Sequence, residues 1–443
     1  MPITRAPSIL VRTVIFTLFT LFALVLRIAA AEATATLPVA KRFVISAFGA
    51  VADGATLNTA AIQQAIDQAG AAGGGVVEIP AGTFRSGSIF LKPGVELFLA
   101  EGAVLLGSKQ IEDYPKRDTR IEGHFEPWRM ALVNAQNLDR VRITGKGRLD
   151  GNGVTFWEAF WQRRKENPKC TNLEVERPRL MFIDTCRDVR IEGISLQDSG
   201  FWNLHLYRCR DVMLAGLRIT IPSAVNGLRG PSTDGIDVDS SQNVTIRQCY
   251  ISCNDDNIAL KGSKGPFADR DTDSPPVENI LIENCEFGDG NGMITCGSEA
   301  TIVRNVTARN NIISGRATML TLKLRPDTPQ RYENILIDSI KVTNGGRILN
   351  VAPWTQFFDL KGQPSPSSII TGVTIRNVTG DARSLGALGG HTTSTIRNIT
   401  LENIQLTLTD ANFAPGTVEN LQLKNVQVNG KPFVAPAPAA PKS

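Results

Sequence analysis

One short phrase recurs nine times in the second half of the chain and limits what it can fold into. An apolar residue is followed two places on by a second, and five places on by a third that a small or amide residue precedes. The phrase begins at Val189, Val212, Val244, Ile280, Thr301, Ile335, Val373, Ile399 and Leu421, and only Thr301 departs from aliphatic character. The small or amide residue is Gly193, Gly216, Gln248, Asn284, Asn305, Ser339, Asn377, Asn403 or Asn425. Starts are spaced by 23, 32, 36, 21, 34, 38, 26 and 22 residues, which gives a unit near the shortest of these with loops inserted in the longer ones. Alternation puts the first and third residues on one face of a strand, and the Gly/Asn position supplies a turn that tolerates left-handed angles. A single coil cannot bury that face, but coils stacked at ~4.8 Å build a core from rows of like residues. The expectation is an all-β, single-domain, right-handed parallel β-helix over residues 41–432. A leucine-rich horseshoe would need a leucine-dense consensus and regular helices, which are absent.

The ends have their own signatures. Asn58-Thr59 opens a stretch with Ile62, Ala65, Ile66 and Ala69 at helical spacing, closed by Gly70 and Gly73-Gly74-Gly75. That predicts an N-terminal helix capping the first coil. Residues 433–443 are a Pro/Ala-rich tail, expected to be extended and solvated. Residues 1–31 read as a signal peptide: Arg5 and Arg12, an uncharged run Val14 to Leu26, then Ala29-Ala30-Ala31. A secreted or periplasmic monomer follows as the expectation, with no stable membrane association after cleavage.

Of 47 Lys+Arg, three (Arg5, Arg12, Arg27) fall in that leader, and against 43 Asp+Glu the remainder carries a net +1. Such a balance excludes nucleic acid as a partner. Seven scattered cysteines are too few for a disulfide scaffold, and none has zinc spacing. Cys249 and Cys285 occupy aliphatic positions of the repeat and read as packed thiols. Cys186 and Cys209 begin C-R-D-V in adjacent coils, so a disulfide or a buried thiol row is expected there.

Registering coils on the repeat exposes a stripe of carboxylates. Asp234 and Asp256 are 22 residues apart, about one coil, with Asp255 beside the second. Trp202, Asp234 and Asn291 each lie ten residues ahead of a phrase. Paired carboxylates about a glycosidic bond divide acid and base work, and stacked like charges raise one proton affinity. A lone Asp in a turn would more often bond local backbone; two acidic motifs one coil apart, with basic residues following, argue for chemistry.

These motifs resemble glycoside hydrolase family 28, the polygalacturonase family, whose coils carry N-T-D, D-D, G-H-G and R-I-K in succession. The likeness runs from Arg42 to Lys431 and includes F-G-A-V-A-D-G and G-G-G-V-V-E-I-P-A-G-T-F near the start. Thr233-Asp234 matches the first motif with Ser232 for asparagine, and Asn254-Asp255-Asp256 matches the second fully. The resemblance implies a hydrolase acting on an acidic plant cell-wall polysaccharide, galacturonan or rhamnogalacturonan, with inversion: Asp255 as acid, Asp234 and Asp256 activating water. The chain departs twice. Gly290-Asn291-Gly292 stands for G-H-G, and Thr321-Leu322-Lys323-Leu324-Arg325 for R-I-K, so the basic pair is shifted along one strand face.

Expected substrate-binding residues are Asn291, Lys323, Arg325 and His205, the last level with Asp237 of the next coil and read either as a cleft-rim residue or as plain packing. Arg325 either grips a uronate with two parallel bonds or pairs with Asp327 beside it. The insertion from Trp157, with Trp161, Arg163, Arg164, Lys165 and Lys169, reads either as a cleft wall or as a solvated helix with its aromatic face packed down. Asp269, Asp271 and Asp273 lack the glycine and glutamate of a calcium loop, and no metal or cofactor is expected. A catalytically silent carbohydrate-binding β-helix and a pectate lyase-type elimination stand as alternatives.

Overall fold

A computed structural model describes residues 41–222 and 224–436; the proposed leader and the last residues of the tail lie outside them. Among the described residues, 31 strands join in one continuous sheet, paired parallel from coil to coil except for the closing pair Gln427–Val428 with Lys431–Pro432. This is a right-handed parallel β-helix. The repeat's first positions form one column, Val189, Val212, Val244 and Ile280 pairing in turn, and all are at most 3% exposed. Each such side chain contributes about 1.5–3 kcal/mol by leaving water.

All nine small or amide residues ahead of the phrase's last position have positive φ, from 51° at Asn425 to 76° at Gly193. A second left-handed corner lies one residue ahead of the phrase, at Asp188, Asp211, Asn243, Asn279, Asn334, Gly372, Asn398 and Asn420. That second corner corrects the fifth repeat. Ile280 pairs with Val306 and Val306 with Ile335, so the coil's phrase begins at Val306, five residues after Thr301, with Asn305 and Asn310 as its two corners.

Helix α1 (Thr59–Ala71) buries Ile62, Ala65, Ile66 and Ala69 against Ile45–Phe48 and the strand Gly75–Ile79, capping the first coil as expected. Gly74 ends it at φ 120°, where a Cβ would stand 2.5 Å from the Gly94 carbonyl oxygen. Helix α2 (Val154–Glu166) is the insertion; it buries Phe156, Trp157 and Phe160, and its Trp157 Nε1 donates to Ser199 O at 2.9 Å. All seven cysteines are free and buried, so the Cys186–Cys209 alternative resolves to thiols.

Two insertions roof the sheet face that bears the carboxylates. One is α2. The other is an antiparallel hairpin, Lys116–Ile121 with His124–Arg129. Its Arg120 is buried and bonds Asp239 (Nε to Oδ2, 3.0 Å) and Ser263 (3.1 Å). At its tip a Cβ on Gly123 would lie 2.9 Å from the Glu299 Cβ, so only glycine lets the tip approach the coil so closely.

Candidate active site

Asp234 and the Asp255-Asp256 pair occupy the turns just ahead of the strands Ile236–Asp239 and Ile258–Lys261, which pair in register, Ile236 with Ile258. Gly235 N donates to Asp256 O at 2.9 Å, stacking the turns. One oxygen from each of Asp234, Asp255 and Asp256 lies within 4.8 Å of the others. Asp234 and Asp256 are 3% and 1% exposed, while Asp255 is half-buried and faces the opening.

Register also corrects the place of Asn291. Ile258 pairs with Ile294, which sets Asn291 on Asp255 rather than in the column of Asp234. Its backbone N–H donates to Asp255 O at 2.8 Å and its Nδ2 to Asp255 Oδ1 at 3.0 Å. Asn291 therefore orients the rim carboxyl. Two coils beyond Asp256, Lys323 donates from Nζ to Asp256 Oδ2 at 2.7 Å, and Thr295 Oγ1 to Oδ1 at 2.7 Å.

Arg325 spends its fork on Asp327, Nε to Oδ1 and Nη2 to Oδ2, both at 2.8 Å, and is 2% exposed. The two-bond grip on a sugar carboxylate is thus corrected to the pairing alternative; only its Nη1 turns to the cleft, 3.9 Å from Glu299. His205 is wholly buried and does not line the cleft. Its Nδ1 takes a bond from Arg179 Nη1 at 2.8 Å, and its Nε2 lies 3.4 Å from Asp239 Oδ2. Burial draws its pKa down to about 4, against the pull of Asp239, so it is a neutral packed imidazole beneath Trp202.

The cleft of about 300 Å³ also contains residues that sequence reasoning passed over. Lys261 ends the strand behind Asp256. Its ammonium is 3.4 Å from Asp234 Oδ2, 3.6 Å from Asp237 Oδ1 and 3.8 Å from Glu299 Oε2, and sits 4.8 Å over the Trp202 ring. Glu122 comes from the hairpin tip, Glu299 from the coil below it, and Trp354 stacks 4.8 Å from the Lys323 ammonium. From α2, Trp161 and Arg164 reach the rim, with Trp161 Nε1 tied to Arg229 O at 2.7 Å. Arg163 is engaged with Glu174 instead. Asp271 and Asp273 pair with Arg120 (3.7 Å) and Arg208 (2.8 Å), not in a cation loop.

Burial sets the proton affinities here. It pushes Asp234 well above the usual carboxylate range, with Asp237 and Asp255 adding to it and Lys261 opposing. Burial raises Asp255 too, and Asp256 beside it reinforces the shift. Asp237, fully buried behind them, is pushed up to about 7. Burial pulls the other way on Lys261 and Lys323, but their carboxylate neighbours win and hold both above the ordinary lysine value. The Asp triplet has the donor set of a small cation site. Lys261 and Lys323 already stand against it, so the chain itself supplies the counter-charge.

This arrangement of a rim carboxyl over two buried ones suits proton delivery to a leaving oxygen with water activation below. Known proteins resemble this chain in sequence and in fold. A Probable polygalacturonase of Vitis vinifera is 35% identical over 228 residues, 48% of this chain and 43% of the relative. An Endo-polygalacturonase of Pectobacterium carotovorum is 28% identical, covering 84% of this chain and 87% of the relative. In solved structures, a hyperthermoactive exopolygalacturonase from Thermotoga maritima superposes with a TM-score of 0.72 at 23% identity, over 89% of this chain and 93% of that one. The family profile of glycosyl hydrolases family 28 matches residues 108–430. Because that match spans well over half of the chain and every carboxylate of the cleft, this chain belongs to glycosyl hydrolases family 28.

Proposed function

We propose that the chain is an exported hydrolase that cleaves α-glycosidic bonds of pectic polysaccharide, galacturonan or rhamnogalacturonan, by single displacement with inversion. The carrying observation is the division of the triplet: all three line the cleft, Asp255 as the half-buried one, Asp234 and Asp256 almost fully buried with lysines against them. Asp255, its pKa raised, gives its proton to the leaving oxygen. Asp234 and Asp256, in one column, offer a water two acceptors, and one of them takes the proton as the water oxygen bonds to the anomeric carbon. Lys323 and Lys261 offset the negative charge near a uronide.

The nearest oxygens, within 4.8 Å, are closer than the ~6.5–9.5 Å common to inverting pairs and near the ~5 Å of retaining ones. A retaining route uses two carboxyls and leaves the third without a task, which favours single displacement. Proton NMR of the first product decides it: a β-anomer from the α-linked chain is expected, and an α-anomer would overturn inversion. Reducing ends should appear from polygalacturonate or rhamnogalacturonan without an unsaturated product. An unsaturated product with calcium dependence would establish elimination, and binding without turnover a silent carbohydrate-binding protein.

A further inference from the structure

Elsewhere on this β-helix, arginines meet carboxylates of the neighbouring coil: Arg42 with Glu78, Arg304 with Glu278, Arg309 with Glu283 and Arg376 with Asp338. Stacked coils bring such side chains close, and like charges so placed repel. Arginines also stack without a carboxylate elsewhere, as Arg187 does on Arg210, but one such corner lies beside the cleft. Arg316, Arg347 and Arg383 are exposed and lie on three successive coils. Gly346 N donates to Ala317 O, and Arg347 pairs with Ser384, the neighbour of Arg383. Arg316 has Asp289 at 3.3 Å, but Arg347 reaches only the amide oxygen of Asn350, and Arg383 has no side-chain partner among the described residues.

The three arginines line a groove of about 1100 Å³ whose carboxylates, among the described residues, are Asp289 and Asp381. Gly315, Gly345 and Gly346 lie along it, so a chain can approach the backbone there. The groove includes Asn291, the residue bonded to Asp255, and a smaller hollow lined by Arg229, Asn254 and Arg316 joins it to the cleft. A groove that opens from the cleaving carboxyl and carries three exposed guanidinium groups is complementary to a polyanion lying in it.

We infer that Arg316, Arg347 and Arg383 bind successive carboxylates of the polyuronate chain beyond the scissile bond, so that the substrate runs along the helix axis toward the C-terminal coils. This rests on the uronide reading of the cleft above. Three coils at ~4.8 Å extend the contact by about 10 Å from Arg316 to Arg383, and each guanidinium offers a carboxylate two parallel bonds.

The test is the double variant Arg347→Ala with Arg383→Ala. Far-UV circular dichroism and a thermal midpoint equal to wild type serve as the folding control. For long polygalacturonate the expected result is a KM raised by about 3- to 30-fold, the loss of two solvent-facing charge pairs. The wild-type advantage on long chains should also vanish in ~1 M salt, where screening falls to ~3 Å. A long-chain KM equal to wild type overturns the inference and leaves the hydrolase reading intact. Affinity electrophoresis in a polygalacturonate gel, in an Asp255→Asn background, applies even if no turnover is found. Weakened retardation on removing the arginines supports the groove, and unchanged retardation refutes it, whatever becomes of the hydrolase reading.

Discussion

Lys261→Met removes one charge and keeps the length of the side chain, and the geometry around the ammonium sets how far the chemistry should move. At 3.4 Å from Asp234 the attraction is about 5 kcal/mol for an effective dielectric of ~20. Asp237 and Glu299 share the same cation. Lys261 opposes the upward push of burial on Asp234 and Asp237. Without it both carboxyls hold their protons to higher pH. An opposite charge at this range moves a carboxyl by ~1–3 pH units. If Asp234 must be ionised to activate water, the acidic limb of the kcat/KM profile shifts upward by about that amount. Activity at pH 5 then falls by roughly 10- to 1000-fold and recovers as pH rises. Reducing-end assays from pH 4 to 9 measure this directly. Lys261→Arg, which keeps the charge, should bring the limb back. A Lys261→Met profile lowered evenly at every pH, with no displaced limb, would refute the electrostatic reasoning and leave lysine a packing role only.

Asp255→Asn should lower kcat by about 10²- to 10⁴-fold, the usual worth of a general acid, with KM for polygalacturonate little changed in steady-state assays. Asp237 is raised from 3.8 to about 7 by burial, so the stability linked to its proton is whole below pH 3.8 and is lost as pH rises through about 7. Asp237→Asn should therefore flatten stability between those values and exceed wild type at pH 8, as read by urea unfolding at pH 5 and 8. Because lysines stand against the Asp triplet, turnover should be unaffected by exhaustive EDTA treatment; loss of activity restored by calcium would overturn that.

The repeat made the coil architecture legible because each coil must send aliphatic residues inward at fixed spacing, and nothing else tolerates that pattern. Its one misreading, at Thr301, has a physical cause. Each coil has two left-handed corners five residues apart, and in this coil the apolar position after the second corner, Asn310, is held by the buried Asn311, which pairs with Ile340. Val303-Arg304-Asn305-Val306 satisfies the phrase at the wrong corner. The slip carried Asn291 into the wrong column, although its nearness to the carboxylates survived. The Asp triplet could be placed because it spans two consecutive coils, and Lys323 because it lies two coils farther along the same face. Lys261 carried a readable signal, being five residues past Asp256 in the column that later holds Lys323, but it went unweighed. Trp354 directly follows the coil strand that pairs Leu324 with Pro353, level with Arg325, and was passed over. Glu122 arrives from an insertion, whose landing point no periodicity encodes. His205 failed for a related reason: alternation marks an outer face, but it cannot reveal that a hairpin roofs that face and turns it into interior.

The seven buried thiols have a practical reach of their own. Five of them, Cys186, Cys209, Cys249, Cys285 and Cys296, sit in the core along the coils. A chain held together without disulfides keeps its fold in reducing and oxidising surroundings alike. Sealed thiols also make a gauge spread along the solenoid, since a thiol reagent reaches each one only when its own stretch opens. Labelling followed by peptide mass spectrometry would therefore report, cysteine by cysteine, which end of the molecule lets go first.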